Sequence, residues 1–211
     1  QWHEHMHALI AQNPAVAQGY LYIQISRGTC YERHHGATPA TPTVLMFLQA
    51  KQKEPLATEG LRLITQEDMR WGCCDIKSTS LMANVLHYQA AKAAQKDETL
   101  LLRNGILTEG STSNVFLVQN HCLRTPKNDQ HILSGILRNK VLELAAKLDI
   151  PVNMEPISYQ DLLACEECFI TSSSRNLAWV CEIDDHLIHQ GTMGPVFQKL
   201  YHAFHSKHQG A

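Results

Sequence analysis

The chain has 211 residues, 44% of them hydrophobic and 18% charged, enough to bury the core of one domain or of one domain with a small partner. Its net charge of −2 argues against nucleic acid as a partner. No apolar run approaches the length of a membrane span, and the seven cysteines, an odd number, make a poor disulfide framework. We therefore expect a cytoplasmic protein with neither a nucleic-acid nor a membrane partner.

The first part of the chain predicts one helix and two strands. Residues 1–12 read as an amphipathic helix that leads directly into an alternating strand at 19–26. A second strand is predicted at 43–49. These elements indicate a small α/β unit.

A linker is predicted next. The segment 50–60 is polar and is interrupted by Pro55 and Gly60, as is typical of a connection between domains. We therefore expect a small domain with the start of the linker at 1–52 and a larger domain at 53–211.

The larger domain mixes strands and helices. Strands are predicted at 61–65, 98–103, 114–119, 167–173 and 177–183, a hairpin at 183–188, and helices after residue 77, at 134–148 and at about 194–208. Because the two kinds of element do not alternate regularly, the pattern favours an α+β fold over a doubly wound sheet.

A single lysine, Lys77, lies at the predicted start of a helix within CDIKSTSLMANV at 74–85. The hydroxyl residues at 78–80 offer N-cap chemistry, and the apolar residues that mark one helical face are Leu81, Met82, Val85 and Leu86. That position is the unfavourable end of the helix dipole for a cation. Either Lys77 points into water, or it is kept for its amine, which is a nucleophile when neutral.

Three polar turns are flanked by apolar elements: TEGSTSN at 108–114, SGILR at 134–138 and TSSSRN at 171–176. The backbone N–H groups that follow Gly135 at a helix start suit a phosphate, and the serines at 172–174 offer hydroxyls to the same anion. Each motif alone is more typical of an ordinary turn.

Taken together, these segments resemble the fold-type-IV pyridoxal-phosphate enzymes. RWGCCDIKSTSLMANVLHYQA resembles the family's stretch around its Schiff-base lysine, and RNGILTEGSTSNVFLV resembles its glutamate segment. ILSGILR and FITSSS resemble its phosphate cup. The resemblance runs along essentially the whole chain and is nearest to the D-amino-acid transaminases, with aminodeoxychorismate lyases and branched-chain transaminases as alternatives.

This resemblance implies a two-domain α+β fold whose opening strands precede residue 1, a homodimer, and pyridoxal 5′-phosphate as the cofactor. It implies that Lys77 is the catalytic lysine and that Glu109 keeps the pyridine nitrogen protonated, so that the ring acts as an electron sink. The other cofactor-binding residues implied are Arg70, Ser113, Asn114, Gly135, Ile136, Leu137, Ser172, Ser173 and Ser174. Thr112 is expected beside Ser113 in the wall beneath the ring.

The loop RGTCYERHHG at 27–36 bears on the substrate. D-amino-acid transaminases hold the substrate carboxylate with an Arg-x-His pair after RGT, and Arg33 and His35 fit that pair if one residue is inserted after Thr29. Without the insertion Glu32 would replace the arginine. A pairing of Arg33 with the histidine that follows it, and a merely solvated basic loop, both remain open.

The implied reaction is the exchange of an amino group between a small D-amino acid and a 2-oxo acid. Leu137 occupies a position where transaminases often carry threonine, which favours the lyase that releases pyruvate and 4-aminobenzoate. The run QKDET at 95–99 also departs from the family's usual Gly-x-x-Glu-Ala.

Metal binding is not expected. CEEC at 165–168 is a lone Cys-x-x-Cys without a second pair at zinc-finger spacing. The histidine-rich ends read as solvated helix faces.

Overall fold

The structure is a computed structural model that describes residues 2–31, 36, 41–51 and 59–206. The chain divides into two compact units, Gln1–Leu56 and Ala57–Ala211. The predicted boundary after residue 52 falls outside the described residues and stays a prediction. None of the described helices is both long and apolar enough to span a membrane.

The first unit contains a helix and a hairpin. Helix α1 spans Trp2–Ala11, and strands β1 (Gly19–Ser26) and β2 (Thr43–Ala50) pair antiparallel along their whole length. The register is fixed by side-chain contacts such as the stack of Tyr22 on Phe47, whose ring centroids lie 4.7 Å apart. The helix and both strands agree with the sequence prediction.

The second unit is a mixed sheet with helices. Its elements are β3 (Leu61–Glu67), α2 (Met82–Ala93), β4 (Glu98–Arg103), β5 (Ile106–Gly110), β6 (Asn114–Gln119), β7 (Cys122–Arg124), α3 (Ile136–Lys147), β8 (Val152–Asn153), α4 (Tyr159–Leu163), β9 (Glu167–Ser172), β10 (Asn176–Ile183), β11 (His186–Leu187) and α5 (Pro195–Ser206). Within the described residues the strand order is β5-β4-β3-β10-β9-β6-β7-β8, with β11 on β10. Strand β3 runs parallel to both of its neighbours, whereas β9 is antiparallel to β10 and β6. The predicted α+β class is confirmed.

Both faces of this sheet are covered. On one face Phe116 and Phe169 stack with centroids 5.0 Å apart, and helices α3 and α5 pack there through Val141, Leu144 and Phe197. On the other face Ile157 and Leu162 of the α4 region close a second cluster. This double burial explains why β6 and β9 read as nearly continuous apolar runs.

The start of α2 differs from the prediction. The helix begins at Met82 with Leu81 as its N-cap and no side-chain cap, because the Ser78 hydroxyl accepts a local turn bond from the Ser80 N–H at 3.2 Å. Lys77 therefore precedes the helix and does not lie at its dipole end. The predicted apolar face is also exposed, since the buried residues of α2 are His87 and Ala91.

Candidate active site

Glu109 lies near the end of β5 with only 5% of its surface exposed. One carboxylate oxygen accepts from Arg70 Nη1 at 2.5 Å. The other accepts from Asn114 Nδ2 at 2.9 Å and from the Leu133 N–H at 3.1 Å. Burial raises the pKa of Glu109 to about 7, although the neighbouring Arg70 acts in the opposite direction. This carboxyl group therefore titrates near neutrality and is held by donors on three separate segments.

Arg70 is equally fixed. Its guanidinium donates to both carboxylate oxygens of Asp68, at 2.9 and 3.0 Å, and to the His131 carbonyl at 3.0 Å. Burial opposes ionisation of Asp68, but the hydrogen bonds from Arg70 hold the pKa of Asp68 below its ordinary value. Arg103 adds a second cation 3.2 Å from Asp68. Arg70, predicted to bind cofactor, thus contacts Glu109 directly.

Asn114 joins the glutamate to the start of α3. Its side-chain amide donates to Glu109 and, at 2.8 Å, to the Leu133 carbonyl. Gly135 is the N-cap of α3 and has no side-chain cap; a Cβ built on it would lie 2.1 Å from Asn114 Oδ1. Glycine is therefore required at position 135, because the backbone lies too close to the Asn114 side chain to leave room for a Cβ. The next residue, Ile136, is 82% exposed, and Leu137 is half-buried.

The serine turn lies beside the same strand. Thr171 of β9 pairs with Asn114 of β6, and Ser172 ends β9. The hydroxyls of Ser172 and Ser174 are 3.1 Å apart. Thr171 Oγ1 is buried and has no hydrogen-bond partner within the described chain. An unsatisfied buried hydroxyl is costly, so its presence beside the serine turn indicates a place for an added acceptor or donor.

Lys77 lies on the segment between Arg70 and α2. That segment is anchored by the Cys74 N–H, which donates to the Gln130 carbonyl at 2.7 Å, and by Arg103, which donates to the Trp71 carbonyl at 3.3 Å. Lys77 itself is exposed and has no hydrogen bond or ion pair to any described residue. Its amine is therefore available to a partner from outside the described chain.

Of the other predicted residues, Ser113 is buried, and its hydroxyl lies 3.5 Å from the Glu98 carboxylate. Arg33 and His35 lie outside the described residues, so their role stays a prediction. Sequence reasoning missed Asp68, Glu98 and Thr171. Asp68 could have been found from its spacing of two residues before Arg70, which suits an ion pair.

The seven cysteines are all free thiols. Cys165 and Cys168 are buried, and burial raises the pKa of Cys165 to about 12. A thiol that retains its proton is a poor metal ligand. Among the described residues no group of three or more His, Cys, Asp or Glu side chains could hold a metal ion.

Comparison with known proteins identifies the fold. The family profile described as amino-transferase class IV matches residues 1–183. A D-alanine aminotransferase of Bacillus licheniformis is 36% identical over 183 residues, which cover 86% of this chain and 65% of that protein. The chain thus spans about two thirds of the length of this curated relative.

Two solved structures illustrate the likeness. A putative 4-amino-4-deoxychorismate lyase from Legionella pneumophila subsp. pneumophila str. Philadelphia 1 has a TM-score of 0.85 at 20% identity, covers 97% of this chain and 75% of its own, and shows the shared fold. The branched-chain aminotransferase from the thermophilic archaeon Thermoproteus uzoniensis, solved with norvaline, has a TM-score of 0.83 at 25% identity, covering 96% and 70%. The family resemblance deduced from the motifs is confirmed.

Proposed function

The chain belongs to the class IV aminotransferase family, and we propose that it exchanges an amino group between a small D-amino acid and a 2-oxo acid with pyridoxal 5′-phosphate as its cofactor. The observation that carries the proposal is the buried Glu109 carboxylate, which is held by Arg70 and Asn114. The D-alanine aminotransferase relative supports the substrate class.

The residues present fit this cofactor. A buried carboxylate with spare lone pairs suits the N–H of a pyridinium ring, and Glu109 has both properties. The uncapped backbone N–H groups after Gly135, in Ile136 and Leu137, suit a phosphate. The hydroxyls of Ser172–Ser174 lie on a turn that follows the unpartnered Thr171 hydroxyl. When bound, pyridoxal phosphate supplies the electron sink for the substrate's α-carbon.

The chain's own residues then take defined roles. Lys77, whose amine has no partner in the described chain, would hold the cofactor covalently and move the proton at the substrate's α-carbon. Glu109 would keep a proton on the ring nitrogen, and Arg70 would keep Glu109 in place. Ser113 and Asn114 would border the ring, and Arg33 with His35 would hold the substrate carboxylate.

A lyase acting on aminodeoxychorismate is the second candidate. Leu137, in the first turn of α3, offers no hydroxyl to a phosphate, and the lyase branch tolerates an apolar residue there. A branched-chain aminotransferase is a further alternative, supported by the solved structure at 25% identity.

We also propose a cytoplasmic homodimer. The exposed apolar residues of the α2 region support an interface between copies: Trp71, Ile76, Leu81, Met82, Val85 and Leu86 are all 47–73% exposed, Met82 the most. Exposed large apolar side chains in such number on one segment favour an interaction surface.

Two experiments test the proposal. The protein incubated with pyridoxal phosphate should turn yellow, and borohydride should fix the label on Lys77; Lys77→Ala should abolish labelling, whereas Lys127→Ala, at an exposed lysine, should not. Label on another lysine would refute the assignment. A paired assay would offer D-alanine with 2-oxoglutarate in one arm and aminodeoxychorismate alone in the other. Turnover only in the second arm would replace the transaminase by the lyase.

A further inference from the structure

Glu98, the first residue of β4, is a buried carboxylate outside the group described above, with 0% of its surface exposed. One of its oxygens accepts from the Thr99 N–H at 3.0 Å and from the Ser111 hydroxyl. The other accepts from the Thr112 hydroxyl at 2.6 Å and lies 3.5 Å from the Ser113 hydroxyl. Three consecutive hydroxyl side chains therefore converge on one carboxylate.

The three hydroxyls form the turn between β5 and β6. The turn is closed by the Gly110 N–H, which donates to the Ser113 carbonyl at 2.7 Å, and is tied to β4 by the Ser111 N–H, which donates to the Thr99 carbonyl at 2.9 Å. Gly110 has no room for a side chain, because a Cβ there would lie 2.2 Å from Ser113 Oγ. Asn84 of α2 holds the turn from another side, since its amide donates to the Ser111 carbonyl at 2.8 Å.

The turn determines where the ends of two strands lie. Glu109 directly precedes it and Asn114 directly follows it, and their side chains are joined by the 2.9 Å bond from Asn114 Nδ2 to Glu109 Oε2. A change in the turn therefore changes the separation of these two residues.

Glu98 also differs from the other buried carboxylates of the site. Asp68 and Glu109 both pair with Arg70, whereas no ion pair among the described residues involves Glu98. A buried carboxylate without a cation is retained only where hydrogen bonds satisfy it, and here the donors are the turn itself. Removing the carboxylate leaves the hydroxyls of the turn without this acceptor, and removing the hydroxyls leaves the carboxylate without these donors.

We propose that Glu98 is a positioning residue: its carboxylate holds the 110–113 turn so that Glu109 and Asn114 face the cofactor together. The role of the turn in cofactor binding rests on the proposed function. The hold on the turn itself is a property of the cofactor-free chain and can be measured there.

The test compares Glu98→Ala with Glu167→Ala. Glu167 is a matched control, because it is 4% exposed and its carboxylate accepts two backbone N–H groups at the start of α5, at 2.8 and 2.9 Å. In the cofactor-free protein, hydrogen exchange at the Gly110 and Ser111 amides should be at least about tenfold faster in Glu98→Ala than in Glu167→Ala. Glu98→Gln, which keeps one acceptor oxygen, should restore part of the protection.

A second readout links the turn to Glu109. The dissociation constant for pyridoxal 5′-phosphate should rise about tenfold in Glu98→Ala and should rise much less when Glu109→Ala is already present, because residues that act as a unit are not additive. Should Glu98→Ala fail to fold, Thr112→Val removes one hydroxyl at an exposed position and should speed the same exchange in the same region.

Equal exchange at Gly110 and Ser111 in the Glu98 and Glu167 variants would overturn the proposal. So would fully additive effects of Glu98→Ala and Glu109→Ala on the dissociation constant. If the unchanged protein binds no pyridoxal phosphate, the proposed function fails, and the exchange comparison alone still decides whether Glu98 holds the turn.

Discussion

Arg70 donates to Glu109 at 2.5 Å while it also donates to both oxygens of Asp68, so one guanidinium joins two buried carboxylates. The negative charges of Asp68 and Glu109, both bound to the same guanidinium, would repel each other in a poorly solvated site. The shared cation therefore makes it possible for Glu109 to lose its proton where burial favours the neutral form.

Glu109→Gln separates a chemical role from a structural one. The amide keeps the size and most hydrogen bonds but removes the charge that would hold a proton on the ring nitrogen. A loss of about two to three kcal/mol would slow turnover roughly thirty- to two-hundred-fold, while cofactor affinity should change much less. Steady-state kinetics measures the effect, and Glu155→Gln, at an exposed loop carboxylate, is the control. Near-normal turnover would show that the charge of Glu109 has no part in the reaction.

The stability of the cofactor-free protein should depend on pH through Glu109. Its folded-state pKa, about 7, lies above the ordinary value of 4.5, so its contribution is fully present below pH 4.5 and is lost as the pH rises through 7. Urea denaturation at about pH 5 and about pH 8 should show a loss on the order of 2 kcal/mol that Glu109→Gln lacks. Identical pH slopes in the two proteins would contradict the assignment.

Arg70→Met should be strongly destabilising. It leaves Glu109 without a cation and leaves Asp68 with Arg103 alone. Breaking a buried pair on one side costs about 3–5 kcal/mol. Chemical denaturation checks this value, and Arg175→Met is the control, because the guanidinium of that half-buried arginine donates to the Asp97 backbone carbonyl, at 3.3 Å, and forms no ion pair with a described residue. Equal losses of unfolding free energy in both variants would show that the ion pairs of Arg70 contribute no more to stability than an ordinary arginine contact.

Gly135→Ala tests the approach of α3 to Asn114. The added methyl would lie 2.1 Å from Asn114 Oδ1, so the amide that donates to Glu109 must shift from its present position. We expect a loss of stability of about 1–3 kcal/mol together with weaker binding of pyridoxal phosphate. Gly72→Ala is the matched control, since a Cβ there meets nothing within 4 Å. If both variants bind alike, the close approach is unimportant.

Leu86→Glu tests the proposed interface. Leu86 lies on the exposed apolar face of α2, and a charge there would have to be buried between two copies. Sedimentation should show a dimer for the unchanged protein and a monomer for Leu86→Glu. Gln160→Glu places the same charge on an exposed polar position of α4, away from this face, and should leave the dimer intact. If Leu86→Glu is still a dimer, the interface does not include this face of α2.

Apolar patterns in the sequence predicted most of the strands, because β1 alternates between apolar and polar residues and β6 is a nearly continuous apolar run that is buried in the sheet. The sequence did not predict the short elements β7, β8 and α4, because they have too few residues for a hydrophobic period to appear. The predicted start of α2 was wrong because the Ser78 hydroxyl serves a local turn, which competes with capping.

The candidate site was predictable in its residue types but not in its connections. The motifs named Glu109 and Arg70 separately, yet no spacing indicates that they touch across 39 positions of sequence. QKDET was noted only as a departure from the family pattern, although its Glu98 faces the hydroxyls of all three residues 111–113. Such long-range pairings depend on tertiary structure, and one sequence does not contain them.

The parallel pairing of β3 with β10 has a consequence for synthesis of the protein. The Thr65 N–H donates to Asp184 at 2.8 Å, and these residues are 119 positions apart. The pairing of β3 with β10 can therefore form only after the ribosome has released the chain beyond β10, so one edge of β3 stays unpaired while residues 68–183 are still being made. Nascent chains that end before β10 should therefore be the ones that most need a chaperone.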